Sequence, residues 1–123
     1  MKNKAEILDC TLRDGSYVLN YNFNQFETSL ITKVIFESGI NFVEVGHGIG
    51  IGANLKNSSS YCSDEEYIEA ASAVKKNKSS KVGSFCFSSN INYDQLKSAK
   101  LSGLDFIRFG IDPKQYPDDI KLR

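Results

Sequence analysis

Arg13 and Asp14 stand side by side in "LDCTLRDGSY" (Leu8 to Tyr17), where an apolar run suited to a buried strand breaks into a loop. A turn at this point makes use of Asp14 and Gly15 but gives Arg13 no task. A guanidinium is charged at every relevant pH and carries its donors in a fixed fork, the chemistry by which an oxyanion is held. Other residues capable of chemistry recur at comparable places: Glu44 and His47 in "VEVGHG", Ser88, Arg108 in "DFIRFG", and Asp112. Each has a plainer reading beside the functional one. Asp14-Gly15 is an ordinary turn, Arg13 with Glu44 an ion pair, His47 a loop residue among glycines. Arg108 either binds an anionic substrate or serves as an interior salt-bridge partner.

The elements that would position these groups alternate along the chain. "AEILDCT" (Ala5 to Thr11) reads as a buried strand, short and apolar with turn signals at its end. From Asn24 the period changes: Phe26, Leu30, Ile31, Val34 and Ile35 mark the inward face of a helix that Gly39 stops. "NFVEVG" (Asn41 to Gly46) is a second strand, followed by a Gly- and Ser-rich loop from Gly48 to Cys62. Ser63 and Glu66 form a capping box, with Asp64 and Glu65 in the first turn of a helix burying Ile68, Ala71 and Val74. "KVGSFCF" (Lys81 to Phe87) is a third strand. Asn92 with Gln95 opens a third helix carrying Leu96, Ala99 and Leu101 and ending near Gly103, and "LDFIRFG" (Leu104 to Gly110) is a fourth strand. Phe85, Phe87, Phe106 and Phe109 are expected in the core.

Crossovers this long between strands mean parallel pairing and an α/β protein. A doubly wound nucleotide-binding sheet would want a Gly-x-Gly-x-x-Gly loop after its first strand, where only Gly15 stands. The later "GHGIGIG" (Gly46 to Gly52) is separated from its helix by a dozen residues and does not suit a pyrophosphate. A (β/α)8 barrel gathers its active site at the carboxyl ends of its strands, which is where Arg13, Asp14, His47, Ser88 and Asp112 fall. The fold expected is therefore α/β, a partial barrel of four parallel strands with three to four helices, in one domain spanning residues 1–123.

Fifteen basic residues balance fifteen acidic ones, so no global field draws the chain to nucleic acid or anionic lipid. The run Lys75, Lys76, Lys78 and Lys81 reads as a solvated helix end. No apolar stretch approaches the roughly 18 residues of a membrane span, and no signal peptide opens the chain. Cys10, Cys62 and Cys86 show no Cys-x-x-Cys spacing, and the cytoplasm is the expected compartment.

"DCTLRDG" (Asp9 to Gly15), together with "VEVGHG" at the next strand, resembles the signature of the metal-dependent DRE-TIM lyases and synthases. The "VEVGHGIGIG" run places the likeness nearest the 4-hydroxy-2-oxovalerate aldolase branch. The resemblance implies that Asp14 is a ligand of Mn²⁺ or Mg²⁺, that Arg13 holds an enolate oxygen, and that Glu44 fixes the Arg13 rotamer. It implies a carbon–carbon lyase of the pyruvate aldolase type acting on a small 2-oxo acid, with Tyr17, His47 and Arg108 lining the substrate site. Tyr17 departs from the pattern, since relatives carry a histidine base there and a phenol of pKa about 10 is a poor base at neutral pH.

The family also takes two metal ligands from a His-x-His pair on a late strand, whereas His47 is the one histidine here. With a full barrel needing roughly 250 residues, the chain is expected to be the amino-terminal half of such an enzyme, inactive alone. The partner expected is either the missing carboxyl-terminal half or a second copy in a homodimer. Two other readings keep their place: a non-catalytic half-barrel that binds or assembles, and a 2-isopropylmalate synthase-like enzyme condensing an acyl-CoA.

Overall fold

The computed structural model describes residues 4–55 and 59–114. The first strand, β1, is only Leu8–Asp9, shorter than the predicted Ala5 to Thr11. The ladder ends there because the Cys10 carbonyl is committed locally, accepting from the Arg13 and Asp14 amides at 3.2 and 2.8 Å. The chain turns at once into a 3-10 segment, Asp14–Leu19. That turn places Arg13 at the strand mouth.

Helix α1, Gln25–Glu37, starts on a full capping box: Asn24 accepts from the Glu27 amide at 2.8 Å and Glu27 accepts from the Asn24 amide at 2.9 Å. Its buried face differs from the predicted one. Thr28, Thr32 and Phe36 are buried, with Ile31 and Ile35 packed beside them, while Phe26 is 74% exposed and Leu30 and Val34 also face out. The helix is apolar on more than one side. The small threonines form the row that comes closest to its neighbours, and the bulkier row is left without a cover.

Strand β2 is Phe42–Glu44 and helix α2 is Asp64–Ser72, capped by Ser63 and Glu66 as the sequence predicts. Strand β3 runs Lys81–Phe87, and α3, Tyr93–Leu101, begins on Asn92, whose side chain accepts from the Asp94 and Gln95 amides. Within α3, Ala99 is buried and Leu96 partly so, but Leu101 is exposed rather than inward. Strand β4 is Phe106–Gly110.

All neighbouring strands pair in parallel, in the order β1-β2-β3-β4. That is the arrangement of half a (β/α)8 barrel. Side chains alternate across each strand, so the two faces differ. The convex face carries Val43, Val45 and Val82 against Phe36, Ile68, Ala71, Ala99 and Leu104, forming the core. The concave face carries Phe42, Glu44, Phe85, Phe106 and Arg108, with Phe106 laid over Gly83 where any side chain would collide with its ring. Phe109 therefore points to the convex side and is exposed, not core.

Lys75 is not simply solvated: its Nζ pairs with Asp105 at 2.6 Å and donates to the Gly103 carbonyl at 3.3 Å, tying the end of α2 to the start of β4. Cys10, Cys62 and Cys86 are free thiols, the last two buried. No helix among the described residues is long and apolar enough to cross a membrane. The helix expected after β4 lies outside the described residues.

Candidate functional site

Glu44 organises the concave face. Its side chain is 0% exposed and is gripped from both sides. Arg13 Nε donates to Oε1 at 2.7 Å, while Arg108 is bidentate, Nε to Oε2 at 2.7 Å and Nη2 to Oε1 at 2.8 Å. Burial alone would push the Glu44 carboxyl up. Hydrogen bonds from Arg108 and Arg13, with their charges, outweigh it and hold the group below its ordinary range. The same hydrogen bond to Glu44 raises Arg108 above its already high value.

Phe85 lies between the two cations. The Arg13 guanidinium carbon sits 4.9 Å from its ring centroid and that of Arg108 5.6 Å. Register makes this arrangement: Phe85 is paired with Arg108 across β3 and β4, and Glu44 with Gly83 across β2 and β3. The space a side chain at Gly83 would take is filled by the Phe106 ring. Phe85 is thus an aromatic platform for two guanidiniums rather than core filling, a contact of about 0.5–1 kcal/mol or more each.

Arg13 is fixed further by the Gly48 carbonyl, 3.1 Å from Nη1. Gly48 itself is roofed by aromatics, because a Cβ there would come 2.7 Å from the Tyr17 ring and 2.8 Å from that of Tyr21. Tyr21 stacks on His47 at 3.9 Å between centroids and meets Tyr17 edge-on at 5.1 Å. His47 is buried under this stack, and its Nδ1 accepts from the Ile49 amide at 3.0 Å. An accepting Nδ1 places the proton of a neutral imidazole on Nε2. Tyr17 is about half exposed, and burial, with Tyr21 beside it, raises its pKa. At neutral pH it is a phenol, able to donate a hydrogen bond.

Asp14 lies 3.3 Å from Arg13 Nη1 with its side chain 69% exposed. The structure thus brings Arg13, Glu44 and Arg108 into one cluster, with Asp14 at its wet edge and His47 set back beneath Tyr21. No group of three His, Cys, Asp or Glu side chains that could hold a metal occurs among the described residues. A lone exposed carboxylate already beside a guanidinium does not fit a divalent cation as a complete site.

Three participants have no clear signal in the sequence: Phe85, Tyr21 and Cys10, whose Sγ lies 3.6 Å from Arg108 Nη2. A fourth is Asp64, which the sequence places in the first turn of a helix. It is buried and accepts from the Gly52 amide at 2.8 Å, clasping the Gly-rich loop to α2. Burial, more than offsetting that bond, pushes it up to about 6 from 3.8. The sign follows from which state holds the proton. Between about pH 4 and 6 the folded chain keeps a proton that the unfolded chain has lost, so this residue lowers stability as pH rises through that window. Asp64→Asn keeps the acceptor and removes the charge. Its stability is expected to exceed that of the parent by an amount that grows between pH 4 and 6, reaching about 2–3 kcal/mol and read as a higher thermal midpoint. Equal midpoints at pH 4 and pH 7 would refute the assignment.

No family model matches the chain. It is 33% identical over 111 residues to the 4-hydroxy-2-oxovalerate aldolase 2 of Salinispora arenicola, covering 89% of this chain and 32% of the aldolase. It is 38% identical over 71 residues to the oxaloacetate decarboxylase of Mycobacterium tuberculosis, covering 58% of this chain and 21% of that enzyme. The chain spans about a third or less of the length of these curated relatives. Among solved structures it matches the N-terminal domain of a protein from Bacteroides vulgatus described as a candidate aldolase. The TM-score is 0.59 at 24% identity, over 96% of this chain and 41% of the other, a likeness of fold. By these shared stretches, and with the half-barrel order of its strands, the chain belongs to the DRE-TIM family of the 4-hydroxy-2-oxovalerate aldolases and corresponds to their amino-terminal part.

Proposed function

We propose that residues 1–123 form the amino-terminal half of the catalytic domain of a divalent-metal-dependent carbon–carbon lyase of the pyruvate aldolase kind, working in the cytoplasm. One observation carries the reading. Two guanidiniums are locked on buried Glu44, yet it engages only Nε of Arg13 and Nε and Nη2 of Arg108, leaving each with further N–H groups beyond that carboxylate. Fixed, unspent donors on a concave face suit a small 2-oxo acid.

Retro-aldol cleavage of a 4-hydroxy-2-oxo acid passes the 4-hydroxyl proton to water and breaks the C3–C4 bond, so that C4 leaves as an aldehyde. The electron pair left on C3 forms the C2–C3 double bond of an enolate with its charge on the C2 oxygen. A proton taken back from water at C3 gives pyruvate. Arg13 donates to the C2 oxygen as it becomes an enolate, and Arg108 holds the C1 carboxylate. Glu44 stays outside the reaction and fixes both cations. Tyr17 and His47 line the approach; Tyr17 donates and is no base. Asp14 would supply one carboxylate ligand to Mn²⁺ or Mg²⁺, the others coming from outside the described residues. The decarboxylase relative supports the same centre, because loss of CO₂ from a 3-carboxy-2-oxo acid leaves the same pyruvate enolate.

Oxalate, planar and dianionic, imitates that enolate. Titrated with Mg²⁺ into the chain at millimolar concentration, it is expected to shift the Nε–Hε resonances of Arg13 and Arg108 saturably, and acetate is not. Both resonances unmoved by oxalate would overturn the reading. In the completed barrel, pyruvate release is expected to stop on exhaustive chelation and return with Mn²⁺ or Mg²⁺.

A further inference from the structure

We infer that Asp64 is a positioning residue for Arg13, acting through the Gly-rich loop that both of them hold. The loop is a run of tight turns: the Gly50 amide donates to the His47 carbonyl at 2.8 Å, and the Ala53 amide to that of Gly50 at 3.2 Å. Gly46, Gly50 and Gly52 all sit at positive φ. Glycine has the most backbone freedom to lose, so such a loop keeps one shape only where it is anchored. On the β3 side the Ile51 amide donates to the Phe85 carbonyl at 2.8 Å, and a Cβ at Gly50 would come 2.7 Å from the same oxygen. On the α2 side Asp64 Oδ2 accepts from the Gly52 amide at 2.8 Å. The loop so held presents the Gly48 carbonyl to Arg13 Nη1 at 3.1 Å. Only residues 49–51 separate the amide that Asp64 holds from the carbonyl that holds the guanidinium.

A carboxylate is a costly way to satisfy one amide. Asp64 is 3% exposed, and an asparagine would accept the same bond without burying a charge. What the carboxylate adds is a charge-assisted bond, roughly twice as strong as a neutral one. That bond is strongest above about pH 6, where Asp64 is ionised, and weakens as the carboxyl takes up its proton. Of the groups facing it, Glu65 repels its charge, while burial keeps Tyr67 on α2 and Cys86 on β3 neutral through this range. His47, on the loop itself, is a second group able to titrate near neutrality.

Any consequence for turnover rests on the lyase reading, whereas the contact can be read on Arg13 itself. In NMR spectra of the chain, the Arg13 Nε–Hε resonance is expected to shift with a midpoint at about pH 6. In Asp64→Asn, which keeps the acceptor and loses the charge, that step is expected to vanish, leaving the resonance at the parent's acid limit. Steps from Asp14 and Glu44, which touch Arg13 directly, occur in both proteins and cancel in the comparison. A step at this pH that persists in the variant belongs to His47 and overturns the inference, as does the lack of one in the parent. Asp64→Ala, which removes the acceptor, is expected to speed hydrogen exchange at the Gly52 amide by about tenfold or more and to carry the Arg13 resonance past that acid limit. Faster exchange at Gly52 with Arg13 unmoved would mean that the clasp ends at the loop, and the inference would fall. None of these outcomes alters the parent's expected response to oxalate, so the inference and the lyase reading fail separately.

Discussion

Replacing Glu44 by glutamine is expected to cost about 3 kcal/mol of folding stability at pH 7, near the lower end of what removing one partner of a buried ion pair costs. The shape is kept and the charge is lost. Arg13, with its side chain only 12% exposed, is then left beside Arg108 with no counter-ion between them. Arg108 is 44% exposed and relaxes toward water, which holds the loss to that lower end. For a domain of this size the thermal midpoint falls by more than about 10 °C, compared at equal protein concentration because self-association shifts midpoints. The pH dependence separates this cause from lost packing. In the parent the carboxyl is held below its ordinary value near 4.5, so its contribution is present above the unfolded value and lost as pH falls through the lower folded one. The gap between parent and Glu44→Gln should therefore close below about pH 4. A gap constant from pH 3 to 7 would show that the pair contributes shape alone.

The fold was legible where local chemistry decides it. Ser63 with Glu66, and Asn92 with Gln95, start helices for reasons contained in four residues. Lys81–Phe87 forms its strand to the residue, because an apolar run between turn signals has no competing use. Legibility failed where a distant partner decides. Whether Phe26, Leu30 and Val34 or Thr28, Thr32 and Phe36 face inward depends on what approaches α1, and periodicity accepts either row. The first strand lost its carboxyl end to a carbonyl captured by the turn that makes the Arg13 corner.

The cluster divides in the same way. Arg13, Glu44 and Arg108 could be named from their types at strand positions, but their common dependence on one carboxylate could not. It needs the register that sets Glu44 across from Gly83 and Phe85 across from Arg108. Phe85 reads as core in any sequence, since nothing local distinguishes a ring under cations from a ring among valines. The burial of Asp64 was hidden for the opposite reason. An acid in the first turn of a helix already has a satisfactory explanation in the helix dipole, and only the loop folded over it reveals another.

Arg13→Ala is the substitution expected to affect chemistry most. Within the completed lyase, loss of a donor to a developing oxyanion typically slows turnover by about 10²–10³-fold, and the fall should appear in kcat and kcat/KM together, leaving KM close to the parent value. The contact strengthens late. A ketone oxygen in the ground state accepts weakly, and the full charge reaches it only as the carbon–carbon bond breaks. Arg13→Lys is expected to recover little, because an ammonium cannot keep Glu44 on one edge, the Gly48 carbonyl on another and a free donor on a third. Arg108→Ala should show the contrary pattern, a raised KM with kcat less affected, since a carboxylate carries its charge before and during reaction. The two variants control for each other structurally, each leaving Glu44 with one remaining guanidinium. If Arg13→Ala raised KM alone, or if the two variants proved kinetically indistinguishable, the enolate role would move away from Arg13 and the cluster would be left as a structural ion pair.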